Sequence, residues 1–216
     1  MNTFSHMSHV VLLANGTLPH HPRALRFLQT AEVLICCDGA LAKARQLGRE
    51  PDFVVGDGDS LSSADQRALG DRLVLVAEQE TNDLAKAFRF AVETYSTACT
   101  ITLLGATGLR EDHALGNIFR LLDFTGTVPG TTLVTDDGTF EVVRTERTFT
   151  CQPGESLSIF APLPQTRVSS TGLVWPLDGV DLTPLWSGTL NKTQGEFFTL
   201  RPSHPILIYR PHPTTV

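Results

Sequence analysis

Two aspartates separated by one glycine, Asp57 and Asp59 in VVGDGDSLSS, follow directly on a run of β-branched residues. Carboxylates at i and i+2 of an extended segment project to the same side, so this pair can reach one cation. Other acidic residues stand where further apolar runs stop: Asp38 in CDGA, Asp83 in QETND, and Asp112 in GATGLREDH. Taken singly, each has an ordinary use. Asp38 and Asp83 can sit at helix starts, and Asp57 and Asp59 can form a turn. Gathered in one crevice, however, Asp38, Asp57, Asp59 and Asp83 would raise one another's pKa and cost stability unless a cation neutralised them. Oxygen donors without a His or Cys cluster favour Mg²⁺, which keeps several waters and shares its sites with phosphate oxygens.

Phosphate also calls for fixed donors. Lys86 lies three residues after Asp83, and Arg110 precedes Asp112 by two. Arg110 offers a planar fork and Lys86 a point charge. The Gly105 to Gly108 loop can present backbone N–H groups at a helix start, and Asn15-Gly16 can do likewise. Glycines at 56 and 58 permit backbone angles and close approaches denied to other residues. The chain contains no G-x-x-x-x-G-K-[ST], no G-x-G-x-x-G and no G-x-S-x-G run, so the common triphosphate, dinucleotide and nucleophile-elbow signatures do not apply. Of seven histidines only His113 borders these loops.

These loops need elements to position them. VVLLA at 10–14, VLICC at 33–37, FVV at 53–55, LVLV at 73–76, ITLL at 101–104 and TLV at 132–134 read as six strands, most without polar alternation. Strands apolar on both faces belong to a parallel sheet covered by helices. Leu84, Phe88, Ala91 and Tyr95 recur at helical spacing, as do Ala114, Ile118, Leu121 and Leu122. SSADQRALG begins with a capping box from Ser63 to Gln66 and stops at Gly70. The expected fold is therefore α/β, a doubly wound, mostly parallel sheet with helices on both faces, and its ligand crevice lies at the carboxyl ends of the strands. After the turn signal Asp136-Asp137-Gly138 the segments become short, rich in Thr, Val, Ile and Phe, and broken by Pro and Gly. They read as a smaller all-β sandwich. The expected domains are 1–137 and 138–216.

The chain has 216 residues, 41% apolar, and a formal net charge of −6. That size allows a substantial core. The dispersed acidic excess argues against nucleic acid or an anionic membrane as partner. Cys36, Cys37, Cys99 and Cys151 form no C-x-x-C pair and read as buried thiols of a reducing compartment. The first nine residues lack a basic start and an apolar stretch, and no apolar run approaches the roughly 20 residues that span a bilayer. A cytoplasmic protein is expected.

CDGA at 37–40, GDGDS at 56–60, QETND followed by Lys86, GATGLREDH with Asn117 after it, and TGLVWPL at 171–177 resemble, in order and spacing, the thiamine pyrophosphokinase family. The resemblance covers nearly the whole chain. It implies a catalytic α/β domain and a β-sandwich domain for thiamine binding and dimerisation, in a homodimer whose active sites lie between subunits. It also implies Mg²⁺-dependent transfer of a diphosphoryl group from ATP to thiamine, giving thiamine diphosphate and AMP. Matched position by position, Asp57, Asp59 and Asp83 correspond to the metal and diphosphate aspartates, and Asp38 to a further acidic site residue. Gln79, Lys86, Arg110 and Asp112 correspond to nucleotide and substrate contacts, with Thr81, Asn82, Gly105, Asn117 and Asn191 as further binding positions. Asp112 or Asp83 is the candidate for orienting or deprotonating the attacking hydroxyl.

Two departures bear on substrate. Gly58 stands where the family often has an aromatic, and Leu190 stands where a serine usually precedes Asn191, with Trp186 the aromatic available for stacking. Two other readings stay open: a diphosphokinase for another hydroxymethyl heterocycle such as a pterin, and a non-catalytic nucleotide or thiamine binder.

Overall fold

In the computed structural model residues 8–213 are described. Residues 1–7, most of the segment read for a leader, lie outside them. The chain divides into two compact units, the first ending at Asp136 and the second beginning at Asp137.

In the first unit the six apolar runs are β1 (His9–Leu13), β2 (Val33–Cys37), β3 (Phe53–Gly56), β4 (Leu73–Leu75), β5 (Thr100–Leu104) and β6 (Thr131–Val134). They lie in the order β6-β5-β1-β2-β3-β4, every neighbouring pair parallel. Val10 sits between Val33 and Ile101 in register. Val10 to Leu13, Leu34, Ile35, Ile101 and Leu103 have no accessible surface, the outcome expected of strands covered on both faces.

Five helices connect these strands: α1 (Pro22–Thr30), α2 (Leu41–Gln46), α3 (Ser63–Leu69), α4 (Asp83–Tyr95) and α5 (Glu111–Thr127). The cap of α3 is Ser62, not Ser63. Its Oγ accepts from Asp65 N at 3.1 Å and donates to Asp65 Oδ2 at 2.5 Å. Gln66 instead donates to the carbonyl of Gly58 at 3.1 Å. The box closes one residue early because the Asp65 carboxylate can take the serine proton while its own N–H is capped.

Steps from β1 to β4 run one way across the sheet and steps from β4 through β5 to β6 run the other. Right-handed crossovers then place α1, α2 and α3 on one face and α4 and α5 on the opposite one. Phe88 of α4 and Phe124 of α5 stack there, ring centroids 4.0 Å apart. The winding reverses between β1 and β5, which opens a crevice beyond their carboxyl ends.

The second unit contains β7 (Gly138–Val143), β8 (Arg147–Thr150), β9 (Ser156–Phe160), β10 (Arg167–Thr171), β11 (Val180–Asp181), β12 (Asn191–Lys192), β13 (Phe197–Pro202) and β14 (Ile206–Pro211). They form two antiparallel sets, β12-β9-β14-β7 and β11-β10-β13-β8. Leu157, Ile159, Ile206 and Ile208 from one set and Phe149, Phe198 and Leu200 from the other share a core, where Phe149 stacks on Phe198 at 4.9 Å. The four cysteines are free and buried. Among the described residues no helix is long and apolar enough to cross a membrane.

Candidate active site

A cleft of about 500 Å³ opens at the winding reversal. Its walls come from Asn15 and Gly16 after β1, Asp57 after β3, parts of 79–86 around the start of α4, and parts of 105–117 around the start of α5. The loops after β1 and β5 are in direct backbone contact. Gly16 N donates to Gly105 O at 2.6 Å and Thr17 N to Thr107 O at 2.8 Å. A Cβ on Gly16 would stand 2.2 Å from Gly105 O and 2.3 Å from Thr107 O, so only glycine allows the loops to meet there.

Asp57 lines the cleft and Asp59 does not. The segment between them is turned, not extended, because Gly58 adopts φ +86°, a conformation a larger residue there would strain. Asp57 Oδ1 accepts from Asp59 N at 3.1 Å and Oδ2 from Gln79 Nε2 at 3.1 Å. The Gln79 amide, the Asp59 N–H and the nearby Lys86 charge hold the Asp57 carboxyl below its ordinary range.

Asp38 lies behind the cleft, 3% exposed. Its carboxylate accepts from Gly39 N at 2.6 Å and Gly58 N at 3.1 Å. Burial raises its pKa, and the charges of Asp83 and Asp57 raise it further against those two hydrogen bonds. Asp38, Asp57 and Asp83 therefore feel one another in this corner, three of the four carboxylates that the sequence expectation gathered there, and Asp59 is not among them. Asp83 lines the cleft beside Lys86. Lys86 is only 2% exposed, and its Nζ reaches Asp83 Oδ1 at 3.3 Å. A buried ammonium with one long ion-pair contact retains donors for an anion.

The remaining residues divide into wall and brace. Asn82 caps α4, accepting from Ala85 N at 3.0 Å, and donates to Asn117 Oδ1 at 2.9 Å. Asn117 in turn donates to Ala106 O at 2.8 Å. Both line the cleft, yet their amides are occupied in tying α4 to α5 and to the Gly105 loop. Thr81 donates its hydroxyl and its N–H to the Glu78 carboxylate, which also accepts from Glu80 N and Arg89. Those bonds, the Thr81 hydroxyl first and Arg89 next, pull Glu78 down to about 2. Sequence reading missed Glu78, although its spacing of three before Thr81 was an available signal.

Arg110 lines the cleft, and Asp112 does not. Asp112 grips Arg110 from two residues away, Nε to Oδ1 at 3.1 Å and Nη2 to Oδ2 at 2.6 Å, both side chains exposed. The Arg110 bonds hold Asp112 at about 2. His113 also lines the cleft.

Asn191 belongs to the second unit and is 6% exposed. Its Nδ2 donates to Trp175 O at 2.7 Å and its Oδ1 accepts from Trp175 N at 3.3 Å and Lys192 N at 2.8 Å. It thus pins TGLVWPL to β12. Leu190, next to it, is 75% exposed at φ +60°, and Trp186 is 71% exposed.

Among the described residues no group of three or more His, Cys, Asp or Glu side chains is arranged to hold a metal ion. The donor chemistry still fits Mg²⁺. Asp57 and Asp83 offer hard oxygens at the cleft, mutual repulsion at Asp38 marks an excess of negative charge, and such an ion takes its other ligands from water and phosphate.

Comparison with known proteins adds the family. The solved structure of a thiamin pyrophosphokinase family protein from Enterococcus faecalis has a TM-score of 0.80 at 20% identity, covering 96% of this chain and 100% of that one. Thiamin pyrophosphokinase from Geobacillus thermodenitrificans gives 0.76 at 24% identity, with 96% and 99% covered. The yeast thiamin pyrophosphokinase gives 0.77 at 14%, with 97% and 87% covered. At these identities the likeness is one of fold. No curated protein sequence matches the chain. The family model "Thiamin pyrophosphokinase, catalytic domain" matches residues 24–130, and "Thiamin pyrophosphokinase, substrate-binding domain" matches residues 138–209. The two together span most of the sequence, and the chain belongs to the thiamin pyrophosphokinase family.

Proposed function

We propose that the protein transfers a diphosphoryl group from ATP to the hydroxyl of thiamine, with Mg²⁺, yielding thiamine diphosphate and AMP. The observation that supports this most is the meeting of Asp57, Asp83 and buried Lys86 in one cleft at the winding reversal, with Arg110 on its rim. Residues 1–137 would carry the nucleotide and residues 138–216 thiamine recognition and dimerisation, in a cytoplasmic homodimer.

Asp57 and Asp83 would hold Mg²⁺, with Asp59 nearby and Asp38 adding field from behind. When bound, the ion neutralises phosphate charge. Lys86 supplies an ammonium that burial keeps from water, and Arg110 a fork for phosphate oxygens. The thiamine hydroxyl oxygen forms a bond to the β-phosphorus, and the bond from that phosphorus to the α–β bridging oxygen breaks. AMP leaves with that oxygen. Asp83, which lines the cleft and would hold the ion, orients the thiamine hydroxyl, whose proton passes to a phosphate oxygen; Asp112 is the poorer candidate, since its pKa near 2 makes it a weak base and its oxygens are committed to Arg110.

One observation favours a second substrate class. Leu190 presents an apolar side chain at 75% exposure beside Asn191, where a serine would offer a hydrogen bond, so another hydroxymethyl heterocycle can be favoured over thiamine. Steady-state rates on thiamine and on a hydroxymethylpterin separate the two. The first reading requires a higher kcat/KM on thiamine, and a preference for the pterin would contradict it. A pure binder would show nucleotide affinity without AMP formation.

A further inference from the structure

Lys43, on α2, lies outside the set of residues assigned to the chemistry, yet all of its hydrogen-bonding capacity is directed at the wall of the cleft. Its Nζ donates to Asn15 O at 2.9 Å, Asn15 Oδ1 at 2.7 Å and Gly16 O at 2.5 Å. An ammonium has three donors, and here every one goes to a neutral oxygen of the loop after β1. Among the described residues no carboxylate pairs with it.

The two carbonyls belong to consecutive peptide groups, and the opposite edges of those groups face β5. Gly16 N and Thr17 N donate to Gly105 O and Thr107 O. Each peptide unit is thus stretched between Lys43 on one side and the β5 loop on the other. The connection continues. Ala106 O accepts from Asn117, Asn117 from Asn82, and Asn82 caps the helix that carries Asp83 and Lys86. A hydrogen-bonded line therefore runs from Lys43 to the residues expected to meet phosphate. Partial burial lowers the Lys43 pKa, consistent with an ammonium that has given up water for these oxygens.

We infer that Lys43 is a positioning residue for nucleotide binding: without touching the nucleotide, its ammonium fixes residues 15–17 against the β5 loop and so shapes the cleft wall. The inference rests on reading the cleft as the nucleotide site. Its proper readout is MgATP affinity measured by calorimetry without thiamine, beside kcat and KM with thiamine. Lys43→Met should weaken MgATP binding and raise its KM by about 10- to 100-fold, the usual effect of losing charge-assisted hydrogen bonds, with a smaller change in kcat. A merely structural role would instead lower the active fraction and leave KM unchanged.

A second variant guards against misfolding. Lys43→Cys can be alkylated with 2-bromoethylamine to restore an ammonium at nearly the same reach, and the four native cysteines are buried. Alkylation should recover most of the lost affinity. Wild-type MgATP affinity in Lys43→Met, or alkylated Lys43→Cys that is folded and binds no better than before treatment, would overturn the inference. Because the binding assay contains no thiamine, a wild-type chain that binds MgATP but forms no AMP would count against the proposed reaction and not against Lys43.

Discussion

Asp57 is the side chain on which the proposed chemistry depends most and the fold least. Its hydrogen bonds are to Gln79 and to Asp59 N, both at the surface of the cleft. Asp57→Asn should lower kcat by about 10²- to 10³-fold, the scale of removing one electrostatic contact to a transferring group, while the thermal midpoint stays within a few degrees of wild type. Retained activity in that variant would remove Asp57 from the site. Glu78 makes the opposite case, a residue that braces without reacting. Its pKa falls from 4.5 to about 2 through Thr81 and Arg89. A depressed carboxylate contributes stability that is present above its unfolded value and lost as pH falls through its folded value. The difference in urea midpoint between wild type and Glu78→Gln should therefore be full at pH 7 and close as the pH drops from 4.5 towards 2. A difference that persists undiminished in acid would show that its charge is not what orders the loop.

Between residues and fold lie the loops. Strands β1, β2, β3 and β5 were legible in the sequence because their apolar runs are buried on both sides, β4 although it lies half-exposed at the sheet edge, and helices α4 and α5 because Leu84, Phe88 and Leu121 repeat at helical spacing and are buried. The short α2 was not, since six residues hold too few turns to show a period. Nor were β11 and β12, two residues each. Loop interiors were the least legible. Asp57 and Asp59 look equivalent in GDGDS, but the positive φ of Gly58 sends only the first into the cleft. Asp112 looks available until Arg110, two residues away, is seen to hold it. The Asn82–Asn117 contact joins residues 35 positions apart and leaves no local trace. It makes a prediction at this scale. Asn117→Ala removes the bond to Ala106 O and strands a part-buried Asn82 amide, which should cost about 1–3 kcal/mol and raise KM for MgATP. An unchanged denaturation midpoint and KM would mean that α4 and α5 are registered by Phe88 and Phe124 alone.

At the scale of the molecule, strand order decides where function can lie. The sequence displays six strands but not that β5 inserts beside β1, and that placement reverses the winding and brings the β1, β3 and β5 loops to one crevice with the start of α4. The family models that match residues 24–130 and 138–209 are described as catalytic and substrate-binding domains, and if the second unit does bind substrate, exchange of its exposed Leu190 and Trp186 for serine or alanine should change KM for thiamine more than KM for MgATP. The proposed reaction is followed most directly through the fate of the β-phosphorus. The direct measurement uses ATP labelled at the β-phosphorus, incubated with the protein, Mg²⁺ and thiamine, followed by separation of the products. Diphosphoryl transfer puts the label in thiamine diphosphate and leaves unlabelled AMP. Label retained in ADP, or nucleotide breakdown that proceeds equally without thiamine, would contradict the account.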